Sequence, residues 1–235
     1  MTRTLITGAN KGLGRETARR LIAAGHTVYV GARDPERGRR AAEELGARFV
    51  PLDVTDDASV AAAVKTIEAE GGLDVLVNNA GIEPRHPDGG FVLPAETTAD
   101  DVRTVFETNV FGPVRTLHAF LPLLLRSDHP VVVNVSSGLA HTPALADPSA
   151  FEHFYPSLAY PSSKAALNML TVQYAKSFDR IRINAADPGF TATDLNHHTG
   201  TQTVEQGAEV IVRLACVGPD GPTGTFQNGA GVLPW

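Results

Sequence analysis

Tyr160 and Lys164 are the residues whose types and spacing point most directly to chemistry, in the run Tyr-Pro-Ser-Ser-Lys. Residues four apart on a helix share one face, so the phenol and the ammonium are expected to be neighbours. A free tyrosine, with a pKa of about 10, is a weak acid-base catalyst at neutral pH. A nearby positive charge favours the phenolate and brings that pKa toward the working range. The pair therefore indicates a tyrosine that acts as a general acid or base.

A glycine-rich turn near the start of the chain points to a second kind of chemistry. The segment Thr7-Gly8-Ala9-Asn10-Lys11-Gly12-Leu13-Gly14 follows a short apolar run and opens a helical pattern. Glycines at such a junction let backbone amides approach a pyrophosphate without obstruction by side chains. The turn predicts a dinucleotide site, with these residues as its binding group: Gly8, Asn10, Lys11, Gly12, Leu13 and Gly14.

The elements that must position these residues alternate along the chain. Short apolar runs, typical of strands buried on both faces, are separated by longer helical patterns. The predicted strands are Thr4–Thr7, Thr27–Gly31, Arg48–Leu52, Val75–Asn78, Val131–Ser136, Arg182–Ala186 and a late edge strand, Thr223–Phe226. This order predicts an α/β fold, a Rossmann-like doubly wound parallel sheet of about seven strands with helices on both faces. We expect a single domain over residues 1–235, since no linker or repeat interrupts the pattern.

Local signals mark two helix starts and two long connections. Asp34 before Pro35 and Thr98 before Asp101 are typical of helix N-caps, the latter as a capping box. Segments 83–97 and 138–159 are long loops that follow the carboxyl ends of strands, where open α/β sheets bind ligands. We therefore expect both to take part in function, and tolerated surface insertions are the alternative.

Composition limits the classes of partner. The net charge of −6 provides no general attraction for nucleic acid or acidic membranes. A single cysteine cannot form an internal disulfide, and no apolar stretch is long enough to span a bilayer. A strand pattern beginning at Arg3 leaves no room for a signal peptide. We expect a cytoplasmic protein that binds neither nucleic acid nor membrane.

These motifs, taken in order, resemble the short-chain dehydrogenase/reductase family over essentially the whole chain. The glycine turn has the family's G-x-x-x-G-x-G spacing, and Asn78-Asn79-Ala80-Gly81 ends the fourth strand as it does in the family. The resemblance implies a catalytic tetrad of Asn109, Ser137, Tyr160 and Lys164. It also implies cofactor contacts from these residues: Asp53, Val54, Asn79, Ala80, Gly81, Tyr160, Lys164, Pro188, Gly189, Thr191 and Thr193.

The implied roles of the tetrad are those of a carbonyl reductase. Tyr160 protonates the carbonyl oxygen, Lys164 binds the nicotinamide ribose, and Ser137 hydrogen-bonds the substrate oxygen. Ser136 is the competing serine, and the second serine of the pair is the one that the family uses. Asn109 offers a hint of its own, because Pro113 has no amide hydrogen to donate to its carbonyl. The family uses that carbonyl to hold a water molecule, and a simple proline kink is the alternative.

The end of the second strand favours NADPH over NADH. Ala32 stands where NAD-preferring members have an acid, and the following Arg33 can hold a 2′-phosphate. Lys11 could supply a second cation, as the resemblance to NADPH-dependent carbonyl reductases suggests. Asp34 argues against this preference but suits a helix cap.

The predicted function is NADPH-dependent reduction of a ketone, aldehyde or quinone. The alternatives are an NAD-dependent alcohol dehydrogenase and a non-catalytic regulator that senses NADPH. The substrate itself is not predicted, although aromatic and apolar residues could line its pocket: Phe91, Val92, Phe151, Phe154, Tyr155 and Phe190. No metal site is expected, because His197 and His198 have no partners at ligand spacing.

The connection between Ser137 and Tyr160 bears on assembly. Its 22 residues exceed the common short form of the family, and monomeric carbonyl reductases carry a longer insertion there. Apolar residues such as Phe151 and Phe154 could cover the helix face that other members use to associate. We therefore favour a monomer over a homodimer or tetramer. The alternative is an insertion that folds over the active site.

Overall fold

A sheet of eight strands forms the centre of the computed structural model, which describes residues 1–235. The strands are β1 Arg3–Thr7, β2 Thr27–Ala32, β3 Arg48–Pro51, β4 Val75–Asn78, β5 Val131–Val135, β6 Arg182–Ala186, β7 Phe226–Asn228 and β8 Gly231–Leu233. Their order is β3-β2-β1-β4-β5-β6-β7-β8, and only the β7–β8 pair is antiparallel. The predicted doubly wound Rossmann-like sheet is confirmed.

The chain forms eight α-helices around the sheet. They are α1 Gly12–Ala23, α2 Pro35–Leu45, α3 Asp57–Ala69, α4 Ala99–Phe106, α5 Gly112–Leu124, α6 Thr142–Ala146, α7 Ala159–Ser177 and α8 Val204–Ala215. One core cluster joins α1, α2 and α8 to one face of the sheet, and a second joins α3 and α5 to the other. Both faces are thus apolar, as the continuous Val-Val-Val of β5 requires. None of the helices combines the length and the apolar character needed to cross a membrane.

The predicted helix starts are confirmed in detail. Asp34 Oδ1 accepts hydrogen bonds of 3.0 Å from the amides of Glu36 and Arg37. Thr98 and Asp101 form the reciprocal capping box at the start of α4. Such caps satisfy amides that have no acceptor within the helix, and each typically contributes about 1 kcal/mol.

The end of the sheet and the long loops depart from expectation. The late strand is Phe226–Asn228 rather than Thr223–Phe226, and β8, which was not predicted, is the true edge. Asn228 makes this hairpin possible, because its Oδ1 accepts from the amides of Ala230 and Gly231. Segment 138–159 is also not a simple loop. It contains α6 and two 3-10 turns, Gly138–Ala140 and Phe151–Phe154.

Candidate active site

The predicted site residues meet at one edge of the sheet, because the carboxyl ends of parallel strands all lie on the same side. The glycine turn follows β1, Arg33 follows β2, and Asp53 follows β3. Asn79–Gly81, Ser137 and Pro188–Gly189 follow β4, β5 and β6. The chain order reverses direction in the sheet between β1 and β4, which is where such folds hold a dinucleotide.

The glycine turn leaves helix amides free for an anion. Gly8 and Gly12 have positive φ angles of 66° and 53°, a conformation that favours glycine. No side chain caps α1, and the amides of Gly12, Leu13 and Gly14 have no hydrogen-bond partner in the chain. A pyrophosphate supplies the acceptors that these amides lack, so the turn fits a dinucleotide. Asn10 and Lys11 complete the turn.

Hydrogen bonds join the Asn79-Ala80-Gly81 segment directly to the glycine turn. Thr7 Oγ1 accepts hydrogen bonds from the amides of Asn79 and Ala80, at 3.0 and 2.9 Å. Asn79 Nδ2 donates to the Thr7 carbonyl at 2.8 Å. A Cβ atom added to Gly14 would lie 2.5 Å from this Nδ2, so a glycine is required for the turn and Asn79 to pack together.

Arg33 is the free cation at the end of β2. Its side chain is exposed and forms no ion pair within the chain, while Ala32 before it is buried. Lys11 is different, because its Nζ lies 2.7 Å from Asp194 Oδ2 across the mouth of the cleft. The sequence did not indicate this pairing, which makes Lys11 less available than Arg33 to a phosphate.

Asp53 and Val54 follow β3. Asp53 Oδ1 accepts from the amide and the hydroxyl of Thr55, at 2.9 and 2.7 Å. Although burial opposes it, these bonds and the charge of Arg33 hold the pKa of Asp53 below its usual value. Val54 is buried, and its carbonyl accepts from Arg115 at 2.6 Å. The Asp53 carboxylate thus remains a charged acceptor at the end of β3.

The turn after β6 closes the other side of the cleft. Gly189 has a φ of 68°, and its amide donates to Asp187 Oδ1 at 2.9 Å. Thr191 donates to the Pro188 carbonyl at 2.9 Å. Thr193 lies opposite the glycine turn, with its methyl group 3.6 Å from the position of a Cβ added to Gly12. These residues form the wall that faces the glycine turn.

Tyr160 and Lys164 lie together on the first turns of α7, as predicted. Lys164 Nζ donates to the Val135 carbonyl at 2.7 Å and lies 5.4 Å from the centroid of the Tyr160 ring. Burial lowers the pKa of Lys164 to about 8. Burial, followed by the charges of Glu83 and Asp187, raises the pKa of Tyr160 well above its usual value, while Ser137 opposes the rise. The phenol is therefore protonated at neutral pH, and the expected lowering of its pKa by Lys164 is not found, because burial and the nearby carboxylates dominate.

The two neighbouring serines point in different directions. Ser136 is buried and donates to Asn168 Oδ1 at 2.6 Å on α7. Ser137 is only partly buried and interacts with the hydroxyl of Tyr160. Because successive side chains of an extended segment face opposite sides, only one serine can reach the cleft. The geometry thus favours Ser137 over Ser136.

Asn109 lies in a π turn, Glu107–Phe111, that joins α4 to α5. Its side chain makes two hydrogen bonds with the backbone of the residue after Gly81. Nδ2 donates to the Ile82 carbonyl, and Oδ1 accepts from the Ile82 amide, both at 2.9 Å. The amide of Gly112 donates five residues back to Glu107, and Pro113 has no amide hydrogen. Such π turns leave carbonyls without helical partners, and they are frequent at functional sites.

Comparison with known proteins agrees with this geometry. The family model described as short chain dehydrogenase matches residues 2–204. This chain belongs to the short-chain dehydrogenase family.

Its relatives are oxidoreductases. Short-chain dehydrogenase/reductase 1 of Saponaria officinalis is 35% identical, and the match covers 98% of this chain and 95% of the relative. The (+)-neomenthol dehydrogenase of Capsicum annuum is 31% identical, with 94% of each chain covered. The structure of the NADPH-bound carbonyl reductase from chicken fatty liver has a TM-score of 0.86 at 29% identity, covering 100% and 99% of the two chains. The chain is therefore an oxidoreductase of this family, acting on a carbonyl or an alcohol.

Several further residues near the tetrad expected from the sequence were not predicted as site residues. Asp187 is buried after β6, and burial raises its pKa. Ser163 is buried between Asn109 and the Tyr160 carbonyl. Glu83 and Arg85, at the start of the 83–97 loop, form a buried ion pair beside Tyr155. Their sequence signal was weak, because the contacts of Ser163 with Asn109 and of Glu83 with Tyr155 join segments that are distant along the chain.

Segment 138–159 lies on the cleft side of the molecule. Phe151 and Phe154 are each 72% exposed, so they do not cover a helix face as expected. Phe151 instead lies beside Phe190 of the turn after β6, with 6.0 Å between ring centroids. Tyr155 lies beside Tyr160 at 6.5 Å. The insertion thus folds toward the active site, which was the alternative to covering a helix face. The prediction of a monomer therefore loses the packing on which it was based.

Proposed function

We propose that this chain uses NADPH to reduce a ketone, aldehyde or quinone to the alcohol, with Tyr160 as the proton donor. The observation that carries the proposal is the buried Tyr160–Lys164 pair. It lies beside Ser137, at the same edge of the sheet as the free amides at the start of α1. The nicotinamide, when bound, supplies the hydride that the carbonyl carbon accepts. The carbonyl oxygen takes its proton from Tyr160.

The charges around Tyr160 support its role as a proton donor. Burial, Glu83 and Asp187 keep the phenol protonated, which is the form that can donate. Lys164 at pKa about 8 is mostly an ammonium at pH 7, and so stabilises the phenolate after the proton has left. Ser137 hydrogen-bonds the substrate oxygen and strengthens that bond as negative charge develops. The resulting phenolate regains its proton from solvent.

The preference for NADPH is supported by Arg33. A guanidinium that is exposed and unpaired at the end of β2 can take the 2′-phosphate in a bidentate fork. Lys11 contributes less, because Asp194 already neutralises it. The similar chicken carbonyl reductase was solved with NADPH bound, which agrees with this preference. Asp53, Asn79 and the turn at Gly189 complete the proposed cofactor site.

Initial rates with NADPH and NADH separate the alternatives. The panel contains ketones, aldehydes, quinones and secondary alcohols, and the absorbance of the reduced nicotinamide is followed. Faster carbonyl reduction with NADPH supports the proposal. Alcohol oxidation that runs mainly with NAD⁺ indicates an NAD-dependent alcohol dehydrogenase instead. Tight NADPH binding without turnover of any compound indicates a regulator that senses NADPH.

Assembly and location extend the proposal. We infer a protein of a reducing compartment such as the cytoplasm, an inference that rests on its one unpaired cysteine, Cys216. The monomer is a prediction from the sequence alone, because Phe151 and Phe154 do not cover a helix face. Sedimentation at micromolar concentration tests it: a mass near 24.9 kDa agrees with a monomer, and a stable dimer or tetramer contradicts it.

A further inference from the structure

A buried ion pair lies next to the proposed proton donor and is not explained by cofactor chemistry. Glu83 and Arg85 stand at the start of the 83–97 loop, with Arg85 Nη2 2.9 Å from Glu83 Oε1. The side chains are only 4% and 11% exposed. Taking two charges out of water costs several kcal/mol per ion, so such a pair is weak evidence for stability alone. A role in ligand recognition explains the position of this pair beside Tyr160.

Aromatic rings enclose this pair and connect it to Tyr160. The Arg85 guanidinium lies 3.6 Å from the centroid of the Phe91 ring. Phe91 meets Tyr155 edge to face at 5.1 Å, and Tyr155 lies beside Tyr160. The hydroxyl of Tyr155 donates to Glu83 Oε1. The two long segments, 83–97 and 138–159, thus join in one wall beside the reacting position.

Glu83 carries the free acceptor in this wall, and the Nη groups of Arg85 carry further N–H donors. Tyr155 and Arg85 both donate to Glu83 Oε1, so the proton of the Tyr155 hydroxyl is already in use. The Nε–H of Arg85 has no partner, but it is enclosed and out of reach. Glu83 Oε2 receives no hydrogen bond from the chain, and it is not enclosed. A ligand that approaches here therefore meets a carboxylate oxygen with free lone pairs.

The charge of Glu83 reaches the proposed reaction centre, since it contributes to the raised pKa of Tyr160. Arg85 already neutralises the carboxylate, so a ligand cation would find no unpaired charge at Glu83. A neutral hydroxyl group, in contrast, satisfies Oε2 without adding charge.

We propose that Glu83 determines substrate specificity by accepting a hydrogen bond from a hydroxyl group on the substrate, remote from its carbonyl. The substrate class is then a hydroxylated ketone or aldehyde with a flat apolar body that packs on Phe91 and Tyr155. This rests on the proposed reduction for the position of the carbonyl at Tyr160. Sites built to bond a substrate hydroxyl reject the analogue without it far better than apolar pockets reject an added group.

The test compares ligands that differ only in this donor. The probes are 3′- and 4′-hydroxyacetophenone, the matching methylacetophenones and the matching methoxyacetophenones. Titration calorimetry with NADP⁺ present measures their Kd, independently of turnover. We expect the wild-type protein to bind the better hydroxyl compound at least tenfold more tightly than its methyl and methoxy partners, which cannot donate. Equal affinities overturn the proposal.

Two variants locate the acceptor. Glu83→Gln keeps the shape but replaces one oxygen with a donor, and Glu83→Asp withdraws the carboxylate by one methylene. Each is expected to reduce the hydroxyl preference to within threefold. Glu96→Gln, in the same loop but half exposed, is the matched control and should leave the preference unchanged. A preference that survives both Glu83 variants, or an equal loss of affinity for all probes, contradicts specific recognition by Glu83.

Turnover of the same probes separates this proposal from the proposed reduction. For each protein we take the ratio of kcat/KM for the hydroxyl probe to kcat/KM for the methyl probe. Comparing this ratio between the wild type and a variant cancels the intrinsic reactivity of each ketone. If the hydroxyl preference in binding depends on Glu83 but wild-type protein oxidises NADPH with no carbonyl compound, the proposed reduction fails and the recognition site stands. If reduction proceeds without any hydroxyl preference, only the recognition site fails.

Discussion

The side-chain amide of Asn109 donates a hydrogen bond to the hydroxyl oxygen of Ser163, with 3.0 Å between the two atoms. Ser163 in turn donates to the Tyr160 carbonyl at 2.7 Å. This chain of bonds links the π turn at Asn109 to the turn of α7 that carries Tyr160 and Lys164. Ser163, which touches no reacting group, is therefore expected to act as a positioning residue.

Ser163→Ala is expected to leave one hydrogen of the Asn109 amide without its partner in a buried site. The free energy of unfolding should fall by about 1–3 kcal/mol, and kcat should fall several-fold while the KM for NADPH stays constant. Ser162→Ala is the control, since Ser162 is exposed and bonds only to the Leu158 carbonyl. Urea unfolding and steady-state kinetics make the comparison. Equal behaviour of the two variants contradicts the positioning role.

Gly14→Ala is expected to damage both stability and cofactor binding. The added methyl group meets Asn79 Nδ2 at 2.5 Å and the Ala9 Cα at 2.9 Å. Overpacking of this kind costs about 1–3 kcal/mol and should raise the Kd for NADPH more than tenfold through displacement of the turn. Gly218→Ala, with no atom within 4 Å of its added Cβ, should change neither quantity. A Gly14 variant with wild-type Kd argues against the turn as the binding site.

The buried Lys164 should leave a signature in the pH dependence of stability. Its pKa is about 8 in the folded protein without cofactor and about 10.4 when unfolded. Below pH 8 both states are protonated, and the cost of burying the ammonium is constant. Above pH 8 the folded state binds fewer protons than the unfolded state, so this group raises stability by up to about 1.4 kcal/mol per pH unit.

Urea unfolding between pH 7 and 9.5 measures this effect as the difference between wild type and Lys164→Met. The free energy of unfolding of the wild type, relative to that of Lys164→Met, should rise as the pH increases above 8. Lys176→Met, which removes an exposed lysine on the same helix, is the control for the loss of a lysine at the surface. A Lys164→Met difference that does not vary with pH means that Lys164 titrates as an ordinary lysine.

Arg33→Ala tests the cofactor preference. The variant should raise the KM for NADPH by about ten- to a hundredfold and that for NADH by less than threefold, because only NADPH carries the 2′-phosphate. Lys11→Ala should have a smaller effect, since Lys11 is already paired with Asp194. Equal increases for both cofactors would refute the assignment of Arg33.

Much of the fold and of the cofactor site could be predicted because their signals are local. Apolar runs gave β1 to β6 nearly residue by residue, and Asp34 and Thr98 marked helix starts through bonds within four residues. Parallel strands put all their carboxyl ends on one edge, so residues far apart in sequence could be expected to meet there.

The parts that could not be predicted depend on contacts between distant segments. Tyr155 and Glu83 are 72 residues apart, and neither has a local pattern that indicates the other. The Lys11–Asp194 pair spans 183 residues. Phe151 was expected to cover a helix. It lies beside Phe190 instead, because of the path that the inserted segment takes. The short hairpin of β7 and β8 likewise depends on the Asn228 side chain rather than on apolar alternation.

The turnover of Tyr160→Phe, with NADPH and a carbonyl substrate of the wild-type protein, decides whether Tyr160 is the proton donor. The change removes one hydroxyl and keeps the ring beside Lys164 and Tyr155, so NADPH affinity should stay within a few-fold. The kcat should fall by about 10²–10⁴-fold, the usual contribution of a positioned proton donor. A variant that binds NADPH normally but has lost this turnover agrees with the account. A kcat within a few-fold of wild type contradicts it and removes Tyr160 as the proton donor.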